Sequence, residues 1–441
     1  MSQASFAYDY VARAGVSTDR KRETIGWPLL EHADERLQKL AEVPQDRPDW
    51  AQDLLQIARA VYLADKLSLR ECAVDGWTRR IDLSVEVVNP SVWSPPTLRL
   101  LSHLAETLSA DQWTINVRAG GRGWPQQGRT TYADVGEVAL FSGGLDSTAW
   151  AAERAKVAAG PLLLVSYFEP QWGSQQDQTL SAIESSARRD IEQLKASQQV
   201  RLTRKLEKSA RTRGLLYLAT AIYLAAAHRV PQVVVPENGQ LAVNPPLTPA
   251  RVAACSTKSV HPGTLHLLNS LIDALGGGVT VVNPYLHLTK GEVCQQALNS
   301  GLARAILTHA TISCGRPPRD RPGAEHYHCG TCYPCLVRHS GLLSALGSDS
   351  TPYKTDVWML GDREKTAVDR RALHQWLCRP ISVRDLTTDT PLPDTIGPGP
   401  LLEVVERGRT ELGQMFARHG QPITPIETPP RRLAWAGSAG V

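Results

Sequence analysis

From Glu137 onward, short apolar runs alternate with helical segments, and this alternation constrains the fold of the 441-residue chain more than any other feature. "EVALFS", "PLLLVSYF", "QVRL", "PQVVVP" and "VTVVNP" read as strands. "DSTAWAAERAKVAA", "QTLSAIESSARRDIEQLKA", the apolar "GLLYLATAIYLAAA", "GTLHLLNSLIDALG" and "KGEVCQQALNSG" read as the helices between them. Repeated strand–helix units imply a parallel sheet with helices on both faces. In such sheets a ligand sits beyond the carboxyl ends of the strands.

The first of these strands runs into "FSGGLDS". Gly143 and Gly144 permit positive φ and close backbone approach. Successive N–H groups at a helix start, joined by the hydroxyls of Ser142, Ser147 and Thr148, form a cradle for a phosphate. Asp146 is out of place in an anion site unless a cation bridges it, and Mg²⁺ carried by a nucleotide polyphosphate does so. The turn has neither the lysine-containing pattern of kinase-type loops nor the three-glycine pattern of dinucleotide folds.

Four of the eight cysteines crowd together: Cys314, then Cys329, Cys332 and Cys335. Cys72, Cys255, Cys294 and Cys378 are scattered. A redox pair and an iron–sulfur cluster are alternatives, but four thiols without a redox-type strand context favour tetrahedral zinc. His326 and His328 stand nearby as substitute ligands. Four protein ligands leave no open position, so the site is expected to be structural.

Residues 1–125 read as a separate α+β domain, with helices at "RPDWAQDLLQIARAVYLADKL" and "PPTLRLLSHLAETLSAD" and strands at "RIDLSVEV" and "QWTINV". Residues 126–136 read as a linker, 137–343 as the main domain, and 344–441 as a helical extension with a Pro-rich tail, where order fades. The charge balance of +4 argues neither for nor against nucleic acid. Gly214–Ala227 is too short for a membrane span, and the first residues lack a secretory pattern, so the expectation is a soluble, cytoplasmic protein.

Four smaller features carry more than one reading each. Arg201–Arg213 holds six basic residues, read as a solvated face or as a lid over phosphates with Arg211 or Arg213 as anion clamp; nucleic-acid contact lacks aromatic support. Glu237 and Asn238 follow a strand end, a ligand position or a polar turn. Lys290 and Glu292 open a helix, as an exposed Lys with a dipole-favouring Glu, or with Lys290 at a phosphate or adenylate. "GRPPRDRP", between the cysteines, reads as a basic loop or a gate.

"SGGLDS" resembles the PP-loop of ATP pyrophosphatases, and together with the cysteine pattern the chain resembles the QueC-like family from about Glu137 to Leu343. "CLVRHSGL" keeps that family's Arg338 and Gly341, with Leu342 where an aromatic is usual. "VNPYLHLTKGEV" matches at Lys290 and Glu292, "TISC" resembles the approach to the first zinc ligand, and "RTRGLLYLATA" matches only at Arg213, with Gly214 where Asn is usual. The resemblance implies an α/β, Rossmann-like sheet of the adenine-nucleotide alpha-hydrolase type with a zinc-bearing C-terminal part. It implies ATP, Mg²⁺ and Zn²⁺ as cofactors. Ser142, Gly143, Gly144, Leu145, Asp146, Ser147, Thr148 and Arg213 would hold ATP or pyrophosphate, with Asp146, Ser147 and Lys290 catalytic and Cys314, Cys329, Cys332 and Cys335 on the metal.

The implied reaction splits ATP into AMP and pyrophosphate and activates the carboxylate of 7-carboxy-7-deazaguanine for an amide, a nitrile or ligation to an amine. The segments facing nucleotide and deazapurine in the family read "YFEPQWGSQQDQ" and "PENGQLAVNPPLTPAR" here and depart from its pattern. The length resembles that of QueC-like proteins of bacterial anti-phage systems such as Qat and type IV CBASS, which implies a protein acceptor or operon partners besides the small deazapurine. A PP-loop tRNA-modifying enzyme, with Cys255 as nucleophile, and a non-catalytic nucleotide-binding subunit are the alternatives.

Overall fold

The computed structural model describes residues 5–12, 21–30, 47–121, 135–168, 173–197, 199–209, 211–248, 258–316 and 328–425. The first part comprises β1 (Ser5–Val11), β2 (Glu23–Gly26), α1 (Asp49–Leu67), β3 (Arg80–Val87), α2 (Pro95–Ser109) and β4 (Gln112–Ala119). Its sheet has the order β2-β1-β3-β4, and every pairing is parallel. This corrects the α+β expectation: α1 and α2 are crossover helices between parallel strands, so the region is α/β. The alternation in β3 is as the sequence predicts, with Ile81, Leu83, Val85 and Val87 buried and Asp82, Ser84 and Glu86 half-buried.

The second part contains β5 (Glu137–Leu140), α3 (Leu145–Val157), β6 (Leu162–Phe168), α4 (Gly173–Ala187), β7 (Glu192–Ser197), α5 (Arg213–Ala227) and β8 (Gln232–Val234). It continues through α6 (Gly239–Val243), α7 (Pro262–Ala274), β9 (Thr280–Val282), α8 (Lys290–Asn299) and α9 (Tyr333–Leu346). The strand order is β7-β6-β5-β8-β9, all parallel. The chain moves outward from β5 through β6 and β7, then returns to its other side with β8 and β9. That reversal opens a crevice beyond the ends of β5 and β8.

One strand differs from expectation. The helix predicted to run through "RRDIEQLKA" stops at Ala187, and Arg188 takes a left-handed φ of 55°. Glu192–Ser197 then pairs along β6, so the edge strand is this segment and not "QVRL". Pairing to an open sheet edge overrides local helix preference.

α1 and α5 pack against each other between the two sheets, and α2 packs on α7. One apolar core therefore runs from the first sheet to the second, across the segment 126–136 expected as a linker, of which 126–134 lies outside the described residues. This explains why α1 buries Asp53 and Asp65 along with its apolar side chains, and why α5 is apolar on nearly every side. Each Leu or Ile sealed here contributes about 1.5–3 kcal/mol relative to exposure.

Residues 344–425 carry the helices expected of the extension and are closely packed. α10 (Val368–Cys378), α11 (Val383–Thr387) and α12 (Pro398–Arg418) form a further core around Trp376, Leu401, Val404 and Phe416, joined by Tyr333, Leu336 and Val337 of α9. The Pro-rich tail from 426 lies outside the described residues. Among the described residues no helix is long and apolar enough to cross a membrane.

Candidate phosphate-loop and metal site

The glycine loop leaves the carboxyl end of β5 and turns into α3. Gly143 has φ 72°, and a Cβ on Gly144 would stand 2.9 Å from Ser142 Oγ and 3.0 Å from the Ile312 carbonyl. Both positions thus need glycine for physical reasons. Ser142 Oγ accepts from Gly144 N at 3.1 Å and lies 3.3 Å from Ser147 Oγ. Gln176 Nε2 donates to the Ser142 carbonyl at 3.2 Å, and Ile312 N donates to the Gly143 carbonyl at 2.9 Å. The loop is therefore braced from α4 and from the segment leading to Cys314.

Asp146, in the first turn of α3, meets Glu237 and Asn238 from beyond the end of β8 and Lys290 from the start of α8. Lys290 Nζ is 2.7 Å from its Oδ2, and Asn238 donates to the same oxygen through N (3.1 Å) and Nδ2 (3.0 Å). Glu237 Oε1 accepts from Asn238 Nδ2 at 2.8 Å and lies 3.9 Å from Lys290 Nζ. Asn283, just past β9, holds the Glu237 backbone from both sides, donating to its carbonyl and accepting from its N–H. Burial most strongly opposes ionisation of Asp146, but the Lys290 charge and the hydrogen bonds from Glu237, Lys290 and Asn238 together outweigh it and hold the carboxyl below its usual range. Burial and the Asp146 charge push Glu237 well up. Burial likewise opposes the Lys290 charge, and Asp146 and Glu237 together reverse the balance and raise it.

Two carboxylates thus share one ammonium, and Asp146 Oδ1 is buried with no hydrogen-bond partner among the described residues. Two carboxyl groups beside the glycine loop, one with an unpartnered buried oxygen and one that burial and the Asp146 charge keep ready to lose its proton to a metal, fit a hard divalent cation such as Mg²⁺.

The four cysteines converge, with every Sγ within 4.8 Å of the others. Cys314 and Cys332 are 4.0 Å apart and Cys329 and Cys335 3.9 Å, far too long for a disulfide. Zn–S bonds of about 2.3 Å at tetrahedral angles put sulfurs roughly 3.8 Å apart, so the spacing fits zinc. Backbone N–H groups of Cys329, Thr331 and Cys332 point at sulfurs at 3.4 Å each, as thiolate ligands require. His328 is buried and its Nε2 accepts from Ser313 N, so it backs the cluster. His326 lies outside the described residues.

Two cavities meet at the loop. One, of about 380 Å³, is lined by Tyr167, Tyr217, Leu218, Pro236 and Arg213, with the two tyrosine rings stacked at 3.9 Å. The other, of about 530 Å³, runs from Asp146 and Lys290 to Arg316, Tyr333 and Asp369 beside Cys314 and Cys332. Ser142, Ser147, Pro236, Glu237, Ile312 and Cys314 line both.

Most of the expected site residues assemble here, though not all in the expected role. Ser142, Gly144, Asp146, Ser147 and Lys290 line the second cavity and Arg213 the first. Leu145 lines the second cavity but packs its side chain into the core, and Thr148 is fully buried and lines neither cavity. Arg213 lies over the Tyr217 ring, whereas Arg211 lies over Trp77 and donates to the Ser109 carbonyl. Arg204 pairs with Glu23 and Lys205 with Glu71, so much of the basic run is fastened to the first sheet and its neighbours. Glu292 closes a capping box with Thr289 and pairs with Arg407, which makes it structural.

Matches beyond the motifs also find physical explanations. Arg338, fully buried, donates to the Thr308 carbonyl and to Thr311, Ser313 and Thr351, clamping the approach to Cys314. A Cβ on Gly341 would stand 2.5 Å from Lys290 Cγ, so this glycine lets the Lys290 chain pass. A Cβ on Gly214 would fall 1.8 Å from Ser259 Oγ, which accounts for the missing Asn. Sequence reasoning singled out the segment that carries Tyr167 and Gln176 without naming either residue, and it missed Asn283 and Asp369. Asn283 follows a strand end as Glu237 does, which was the available signal; Asp369 comes from the extension and had none. Cys255 and most of "GRPPRDRP" lie outside the described residues.

Residues 261–346 match the model of the family described as queuosine biosynthesis protein QueC. The matched stretch carries Lys290, Arg338, Gly341 and all four cysteines, and ends before the C-terminal helices. The match supports a QueC-like, ATP-utilising synthase at that coarse level. No curated protein matches the chain. Among solved structures, a ketoreductase domain from the bacillaene assembly line is 12% identical, over 80% of this chain and 88% of that one, with a TM-score of 0.19, too low to bear on the fold.

Proposed function

We propose that the chain is a QueC-like adenylating enzyme that splits ATP into AMP and pyrophosphate to activate a carboxylate, with 7-carboxy-7-deazaguanine as the acid. The observation that carries this reading is the junction of two cavities at Ser142 and Ser147, beside the half-satisfied Asp146. The slot with the stacked tyrosines suits an adenine nucleoside, and the cavity beside the cysteine cluster suits the acid. A carboxylate oxygen attacks the α-phosphorus, a new P–O bond forms, and the bond to the bridging oxygen of pyrophosphate breaks. An amine or ammonia then attacks the acyl carbon and AMP leaves, giving an amide. The departed substrate loops motivate ligation to a protein amine, within a defence system, as the use of this chemistry.

The loop N–H groups and hydroxyls bind the leaving pyrophosphate, and Lys290 balances charge that builds on the phosphates. Asp146 and Glu237 would hold Mg²⁺, whose charge would neutralise the polyphosphate when bound. Cys314, Cys329, Cys332 and Cys335 would hold zinc, which would fix the wall of the cavity proposed for the acid. The rest of catalysis is positioning.

The test is incubation with Mg-ATP and 7-carboxy-7-deazaguanine, with and without ammonia and candidate proteins, read by mass spectrometry. AMP and pyrophosphate release that depends on the acid supports the reading. ATP binding without turnover makes the chain a nucleotide-binding subunit, and a free nitrile with no modified protein removes the ligation step.

A further inference from the structure

We infer that α12, outside the family-matched stretch, is a positioning element of the reaction centre and that Glu411 is the residue through which it acts on Lys290. The catalytic meaning of this rests on the adenylation reading; the positioning does not.

Lys290 is the first residue of α8, and the residues on either side of it are both bound to one carboxylate. Thr289 Oγ1 donates to Glu411 Oε1, and Gly291 N donates to Glu411 Oε2 at 3.1 Å. One turn earlier on α12, Arg407 pairs with Glu292 at 2.8 Å and donates to the His287 carbonyl at 2.7 Å. Residues four apart share a helix face, so these two side chains grip the start of α8 from one side.

The same face closes on the other half of the Asp146 cluster. A Cβ on Gly239 would meet the Leu286 carbonyl at 2.0 Å and Val404 Cγ1 at 2.9 Å, and one on Gly408 would meet Gln240 Oε1 at 2.3 Å. Gly239 N donates to the Leu288 carbonyl at 2.9 Å, tying the two segments together beneath α12. These segments deliver Asn238 and Lys290 to the same oxygen of Asp146. Beneath them Gly341 leaves no slack for the Lys290 chain. α12 therefore sets where the ammonium stands, and a carboxylate at the start of α8 also complements the helix dipole. Burial, partly countered by the bonds from Thr289 and Gly291, lifts Glu411 to about 7, in keeping with a carboxyl enclosed between helices.

The experiment uses the full chain with Glu411→Ala, Glu411→Gln and Arg407→Ala. Lys290 acetylation by acetic anhydride, quantified by mass spectrometry, reads the position of the amine without turnover, and AMP release reads its use. Glu411→Ala is expected to label Lys290 about fivefold faster through local opening. It should lower kcat about tenfold with KM for ATP little changed. Glu411→Gln, which keeps one acceptor, should restore most of both, and Arg407→Ala should fall between. Should Glu411→Ala not fold, the other two variants decide. Equal Lys290 labelling in every folded variant, or a lower melting temperature with kcat and labelling unchanged, overturns the proposal. If the wild-type chain releases no AMP while labelling follows the expected order, the positioning stands and the adenylation reading falls.

Discussion

Lys290 Nζ and Asp146 Oδ2 lie 2.7 Å apart in the protein interior although their residues are 144 positions apart in the chain. Removing one member of a buried pair strands the other and costs roughly 3–5 kcal/mol. Lys290→Met is therefore expected to lose about that much in urea unfolding, together with AMP release. The double variant Lys290→Met/Asp146→Asn should recover much of the stability and none of the activity. The pair also sets a pH window. Asp146 is depressed below 3.8, so its contribution is present above that value and lost as pH falls through the folded pKa. Lys290 is raised above 10.5, so its contribution is present below that value and lost as pH rises past the folded pKa. Comparing wild type with the double variant should show both losses, and Glu237, which the buried Asp146 charge helps to raise, adds a decline inside the window as pH rises through its own folded pKa. Recovery of AMP release in the double variant would falsify a catalytic role for the pair.

The cysteine cluster should carry one zinc per chain, measured by elemental analysis of protein purified without added metal. Cys332→Ser should lower zinc content and melting temperature together, because a structural site contributes its binding free energy to folding. Iron with visible absorbance would assign the cluster to iron–sulfur chemistry instead.

The sequence motifs were legible because each is local. "SGGLDS" carries its own geometry in two glycines, and the cysteines announce themselves by spacing. The Lys290 match had a structural reason that only the fold reveals, namely Gly341 beneath its chain. What the sequence could not show was long-range assembly. β1 and β2 were missed, and the four strands of the first sheet gave no sign of being parallel, because strand direction is decided by crossovers and not by alternation. Arg201–Arg213 looked like a solvated face or a lid because its partners, Glu23 and Glu71, are far away in the chain. The extension was legible as helical, but nothing in the sequence showed that α12 packs on α6, α8 and α9 as well as on its neighbours α10 and α11.

Gly341→Ala tests how closely Lys290 is confined. The added Cβ would stand 2.5 Å from Lys290 Cγ and 2.9 Å from its carbonyl carbon, so backbone as well as side chain must move. Overpacking of this kind costs about 1–3 kcal/mol. AMP release is expected to drop by more than the loss of folded protein explains, and faster Lys290 acetylation should accompany it. Activity that merely follows the folded fraction would show that the confinement has no bearing on catalysis.

Asp65 links the first sheet to the cavity proposed for the nucleotide. Its Oδ1 pairs with Arg79 Nη2 at 2.6 Å, and its Oδ2 accepts from Thr212 N (3.2 Å) and Oγ1 (2.8 Å) at the start of α5. Asp65 and Arg79 are fully buried, and Asp111 binds Arg79 from the other side. Arg213, Gly214 and Tyr217, which line the first cavity, follow directly on Thr212. Asp65→Ala removes the acceptor for Thr212 and half the charge around Arg79, a loss of about 3–5 kcal/mol in urea unfolding. Because the start of α5 then loses its anchor, affinity for a non-hydrolysable ATP analogue should fall about tenfold by calorimetry in the folded fraction. Asp65→Asn keeps one acceptor and should lie between. A stability loss with unchanged affinity would make the first sheet a support for the fold alone, whereas the paired loss makes it part of the nucleotide wall.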